Sequence, residues 1–153
     1  MSIIEVLEQF GVVRRLINRL GIIYLKNGDL GPKQMLLLRF VHKQKQCTMG
    51  TISAGIGSDK ASVTRMVSSL VKAKYLERIY SKQDRRETMV SLGPYAKAVI
   101  PEIERIYGKL AADFSGALSV SEKATLLTIL KKIEPRLQQA IDVLLKSSPE
   151  SDD

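Results

Sequence analysis

Histidine and cysteine each occur once in this chain, as His42 and Cys47, and tryptophan does not occur at all. One cysteine closes no internal disulfide, and one of each cannot supply the four ligands of a structural zinc. The same scarcity leaves almost no material for the common nucleophilic triads. Apolar runs all fall short of the roughly 18 residues that mark a membrane-spanning helix. The opening Met1-Ser2-Ile3-Ile4-Glu5 has no basic flank leading into a signal-like apolar stretch. A cytoplasmic protein without membrane attachment, metal or cofactor is therefore expected.

What is present is ordinary in amount and unusual in placement. Apolar residues make up 44% of the 153 and charged residues 26%, enough for one folded core and too few positions for two linked domains. The net charge of +8 suits a polyanionic partner, either nucleic acid or an anionic membrane surface, and does not choose between them. Its distribution says more. Between Asp59 and Arg86 stand eight basic side chains (Lys60, Arg65, Lys72, Lys74, Arg78, Lys82, Arg85 and Arg86) against three acidic ones, Asp59, Glu77 and Asp84. A solvated surface spreads its charge, so this clustering favours a face that docks on phosphates.

Periodicity sets the order of elements. Leu7, Phe10, Val13, Leu16, Ile17 and Leu20 predict a long helix over about 3–26, ended by Asn27-Gly28-Asp29. Pro32 opens a second, largely apolar helix to about Lys43. Thr48 caps a short helix over about Met49 to Ala54, interrupted by Gly55-Ile56-Gly57. Ser58 or Asp59 then caps a helix whose inner face is Val63, Met66, Val67, Leu70 and Val71. Its outer face carries Lys60, Ser62, Thr64, Arg65, Ser69 and Lys72. Two helices joined by a tight glycine turn, the second with small polar and basic residues outward, form a helix-turn-helix.

After Lys74 the period shortens to two strands, Leu76 to Lys82 and Thr88 to Leu92, joined by a polar hairpin loop. Pro94 starts a helix to about Ala117, with Pro101 either kinking it or marking a later start. Ser119 and Glu122 make a capping box for a last helix in which Pro135 predicts a bend, and the acidic end after Ser147 frays. The class is mainly α with a small β wing.

The outer face of the helix after the glycine turn is the candidate for reading DNA in the major groove. Ser62, Thr64 and Ser69 allow close approach, Arg65 has the planar fork that suits guanine O6 and N7, and Lys60 suits phosphate. In the hairpin loop, Asp84 lies two residues from Arg86, close enough to orient a guanidinium toward a minor groove, with Arg85 between them. Taken alone, that pair reads as an ordinary charged turn. Cys47 reads as a buried inert thiol and His42 as a residue of a helix C-terminus. Enzyme motifs fail individually: Gly50 and Gly55 have phosphate-loop spacing, but Ile56-Gly57 stand where Lys and Ser or Thr are required. Ser69-Leu70-Val71-Lys72 matches a Ser-x-x-Lys motif on an ordinary amphipathic helix without partner motifs.

The run Ile52 to Arg65, then Leu76-Glu77-Arg78, Asp84-Arg85-Arg86 and Val90-Ser91-Leu92, resembles the multiple antibiotic resistance regulator (MarR) family. The resemblance implies a homodimeric winged helix-turn-helix regulator, a ligand-responsive repressor on a pseudo-palindromic double-stranded DNA operator. It implies a lobe over about 31–93 and dimerisation helices over about 3–26 and 94–146. It also implies Arg86 as the minor-groove arginine with Asp84 as its partner, and a small aromatic or phenolic effector in a pocket without assigned residues. Two departures stand out. Tyr75 occupies a usual glycine position and is expected to adopt a positive φ, and Gly93 replaces a usual helix-capping threonine. The alternative, from another class, is a winged-helix module that binds an acidic protein.

Overall fold

The computed structural model describes residues 1–25, 28–80 and 88–148 and divides into two compact units, Met1–Leu110 and Ala111–Asp153. The first unit begins with α1 (Ile3–Tyr24), whose N-terminus is closed by a full Ser2/Glu5 capping box. In α2 (Pro32–Gln44) the proline takes the first turn, where its missing N–H costs nothing, and the Gly31 N–H donates to Gln34 Oε1 at 2.9 Å. Met35, Leu37, Leu38 and Val41 are buried, which makes α2 the central helix its composition suggests. Helix α3 (Met49–Ile56) is capped by the Thr48 hydroxyl and α4 (Lys60–Lys72) by Asp59.

Three strands follow the order β1-β3-β2, all antiparallel: β1 (Gln46–Thr48), β2 (Leu76–Tyr80) and β3 (Thr88–Leu92). Strand β1 was not expected. Its three residues carry no strand pattern of their own and exist by pairing with β3, Cys47 opposite Val90. That register places the Cys47 thiol in the core, and burial raises its pKa.

The core gathers Leu37, Leu38 and Val41 of α2, Ile52 of α3, Val63, Val67 and Leu70 of α4, Leu76 and Val90 of the sheet, and Ile103 and Ile106 of α5 (Ala96–Gly116). Helix α5 starts two residues after Pro94 and continues through Pro101. In the second unit, α6 (Val120–Ser147) starts at the expected Ser119/Glu122 box and continues through Pro135. Glu122 accepts hydrogen bonds from the Ser119 hydroxyl and backbone N–H, which hold its carboxyl below the usual range.

Two expectations about glycine chemistry are corrected. Gly55 is not part of the turn: α3 extends through it to Ile56, and a Cβ there would stand 2.2 Å from the Phe40 ring. Within the Gly55-Ile56-Gly57 segment it is Gly57, at φ 63°, that takes the left-handed turn conformation. The positive φ expected at Tyr75 falls one residue earlier, on Lys74 at 62°. Lys74 N–H reaches Val71 O at 3.0 Å and Tyr75 N–H reaches Leu70 O at 2.9 Å, the paired bonds of a Schellman helix end. A lysine thus holds the position that glycine fills most cheaply. Gly93 packs against this bend, where an added Cβ would lie 2.5 Å from the Lys74 carbonyl oxygen.

Candidate nucleic-acid interface

The α3–α4 turn determines which way α4 faces. Gly57 closes α3, and the Ser53 hydroxyl donates to the Ser58 carbonyl across the turn. Asp59 then accepts from the Ser62 N–H at 2.9 Å and begins α4 with a satisfied N-cap. Val63, Val67 and Leu70 lock one face into the core, which leaves Lys60, Thr64, Arg65, Ser68, Ser69 and Lys72 exposed on the other.

Two of the predicted hydroxyl readers are already engaged. Ser62 Oγ donates to Asp59 Oδ1 at 2.6 Å and accepts from Arg65 Nη2 at 3.3 Å. The chain Asp59–Ser62–Arg65 therefore holds the guanidinium along the outer face before any ligand arrives. Hydrogen bonding from Ser62, side chain first and backbone second, keeps the Asp59 carboxyl ionised to lower pH than usual, with the Arg65 charge as a smaller contribution. Thr64 Oγ1 donates back to the Lys60 carbonyl at 2.9 Å, which turns its hydroxyl toward its own helix. Lys60 and Ser69 stand on the exposed face.

One contact had no sequence signal. Arg78 of β2 donates from Nη2 to Ser68 Oγ at 2.7 Å and clasps the sheet to the outer side of α4. The link joins residues ten apart across a turn, so no helical or strand period marks it. The wing residues Asp84, Arg85 and Arg86 lie outside the described residues.

Among the described residues, two cavities of the first unit bear on function. One, of about 340 Å³, is lined by Arg14 and Asn18 of α1, Lys33 and Met35 of α2, Ile106 and Tyr107 of α5, and the turn residues Ile56, Gly57 and Ser58. Tyr107 carries the Arg39 guanidinium 4.5 Å above its ring, and Arg39 Nε pairs with Glu104 at 3.0 Å. Burial raises the Tyr107 phenol pKa, opposed by the Arg39 charge. The second cavity, of about 670 Å³, is bounded by Leu25, Asp29, Tyr75, Tyr95, Val99 and Glu102 among others. No helix among the described residues is long and apolar enough to cross a membrane.

A MarR family model matches residues 29–87, from just before α2 to the residue before β3. The transcriptional regulator SarZ of Staphylococcus haemolyticus is 23% identical over 110 residues, 72% of this chain and 74% of that protein. The multiple antibiotic resistance protein MarR of Escherichia coli is 27% identical over 113 residues, 73% of this chain and 78% of its own. Among solved structures, a mutant MarR from E. coli complexed with operator DNA superposes with a TM-score of 0.76 and 26% identity, covering 86% of this chain and 94% of that one. With the helix-turn-helix, the capped α4 and the antiparallel hairpin strands in the same order, the chain is similar to MarR-family regulators in fold and over this segment of sequence.

Proposed function

We propose that this protein is a sequence-specific DNA-binding transcriptional regulator, a ligand-responsive repressor that engages a pseudo-palindromic operator as a homodimer. The observation that carries this reading is the exposed Asp59–Ser62–Arg65 chain on α4, a pre-oriented guanidinium on a face that otherwise offers Lys60, Thr64, Ser69 and Lys72. Regulators of this family supply the precedent in the operator complex of E. coli MarR. Arg65 would read a base edge, Lys60 and Lys72 would meet phosphates, and Ser62 would position Arg65. The lobe over about 31–93 presents this face. In the wing, Arg86 would enter the minor groove with Asp84 orienting it and Arg85 beside it.

A protein-interaction module fits less well. No large apolar side chain of α3 or α4 is exposed, whereas protein-binding faces are enriched in aromatics and Met. The aromatic or phenolic effector fits the 340 Å³ cavity, where Arg14 and Lys33 supply positive charge, Tyr107 an aromatic wall and Ile106 and Met35 apolar cover. Gly57 and Ser58 form part of that wall and lead directly into the Asp59 cap, so occupancy would act on the start of α4. Nothing in this reading calls for an enzymatic step.

Selection of bound duplexes from a random pool tests the proposal. Recovery of a palindrome with a guanine at matching positions of each half supports it. A pool that stays random, or retention that does not weaken steeply with salt, overturns it.

A further inference from the structure

We propose that the 670 Å³ cavity beside the end of α4 is a second ligand site and that it takes a flat organic cation. This inference goes beyond the DNA-binding reading and does not depend on it. The volume is that of a small-molecule site. Its apolar walls include Leu25, Leu30 and Val99, and among the described residues its charged lining is acidic, Asp29 and Glu102. The smaller cavity is the reverse, with Arg14 and Lys33 as its charged lining, so the two are built for opposite ligand charges.

The aromatic wall points the same way. Tyr75 and Tyr95 meet edge to face, with centroids 6.5 Å apart and planes at 75°, which leaves ring faces available as platforms for a cation. Tyr95 already receives one: Lys74 Nζ lies 5.9 Å from its centroid. Lys74 is exposed, so a less hydrated planar cation held also by a carboxylate would displace it. The start of α5 offers little to a competing anion. Pro94 has no N–H, and the Tyr95 and Ala96 N–H groups are spent on Lys74 O and Gly93 O. Glu102 is also gripped by Arg105, which donates to the Tyr24 carbonyl at the end of α1. A cation drawn to Glu102 thus engages the joint between α1 and α5 on one side and the left-handed end of α4 on the other.

The test uses a matched pair of probes, para-aminobenzamidine and para-aminobenzoate, which share shape and differ in charge. Titrated into the full chain without DNA, para-aminobenzamidine should saturate at one per chain. It should bind at least about tenfold more tightly than para-aminobenzoate displaces it. Tyr95→Ala and Asp29→Asn should each weaken the amidine about three- to tenfold, while Tyr95→Phe retains binding because the ring face remains. No saturable amidine binding, equal displacement by the anion, or indifference to both Tyr95→Ala and Asp29→Asn overturns the proposal. If Tyr95→Ala fails to fold, Asp29→Asn and Tyr95→Phe decide alone. Duplex binding measured without probe separates the two readings: a chain that binds DNA but no amidine loses only this inference.

Discussion

Arg65 is held by one hydrogen bond to a serine that is itself held by one to a carboxylate, so the three residues should fail in a graded order. Arg65→Ala should cost about 1–3 kcal/mol per half-site on the operator and relax preference at one base pair, with nonspecific binding much less affected. Ser62→Ala keeps the charge but frees the guanidinium, so it should cost less and still blur the same base pair. Equal affinity of wild type and both variants on the selected operator would remove α4 as the reading element. Asp59 adds a pH signature. Its folded pKa lies below the unfolded value, so the cap's contribution is complete above the ordinary Asp range and is lost as pH falls through the folded pKa. The difference in Tm between wild type and Asp59→Ala should therefore be present at neutral pH and shrink in acid. A difference independent of pH would mean that the carboxylate does not carry the cap.

At the scale of elements, the end of α4 carries a backbone cost, because Lys74 holds a left-handed conformation. A left-handed non-glycine residue costs about 1 kcal/mol, so Lys74→Gly should raise stability by about that amount in denaturant titrations. Gly93→Ala should do the opposite, by more than about 1 kcal/mol, because its Cβ would meet backbone that cannot move aside. The sequence shows the local devices well: Pro32 opening α2, Thr48 and Asp59 as caps, Ser119 with Glu122, and the inner stripe of α4 are all interactions within four residues. It is silent where the cause lies elsewhere in the chain. Strand β1 depends on β3, Gly55 on the Phe40 ring, and Gly93 on the Lys74 carbonyl, and each pair is separated by at least fifteen positions. Distance along the chain also hides the smaller cavity, whose walls come from α1, α2 and α5, and the Arg78 clasp on Ser68 joins residues ten apart across a turn, outside any helical or strand period. For the wing, Asp84→Ala should resemble a milder Arg86→Ala, weakening binding to many sequences and reducing preference for A/T-rich flanks. If neither change alters duplex affinity at physiological salt, the hairpin does not touch DNA.

For the whole molecule, the decisive feature is apolar surface that one chain leaves uncovered. Helix α6 buries none of its residues, and Leu137, Leu144 and Leu145 are 59%, 67% and 71% exposed. On α1, Ile3, Ile4, Leu7 and Leu16 are likewise exposed, although the helix is fully capped and regularly spaced. Monomeric proteins rarely leave contiguous apolar faces of this length in water. Covering a leucine of this kind contributes about 1.5–3 kcal/mol, and a second copy supplies a matching face through two-fold symmetry. Two copies would also present two α4 helices, which is what a palindromic operator requires. Sedimentation should find a dimer at micromolar concentration, and Tm should rise with protein concentration, because dissociation accompanies unfolding. Leu137→Glu with Leu144→Glu should shift the chain toward monomer and lower Tm. Operator affinity should then fall to that of a single half-site while base preference within the half-site persists, since the first unit contains the whole of α4. A wild-type monomer at micromolar concentration, or a Tm that ignores concentration, would leave these faces without the partner assigned to them.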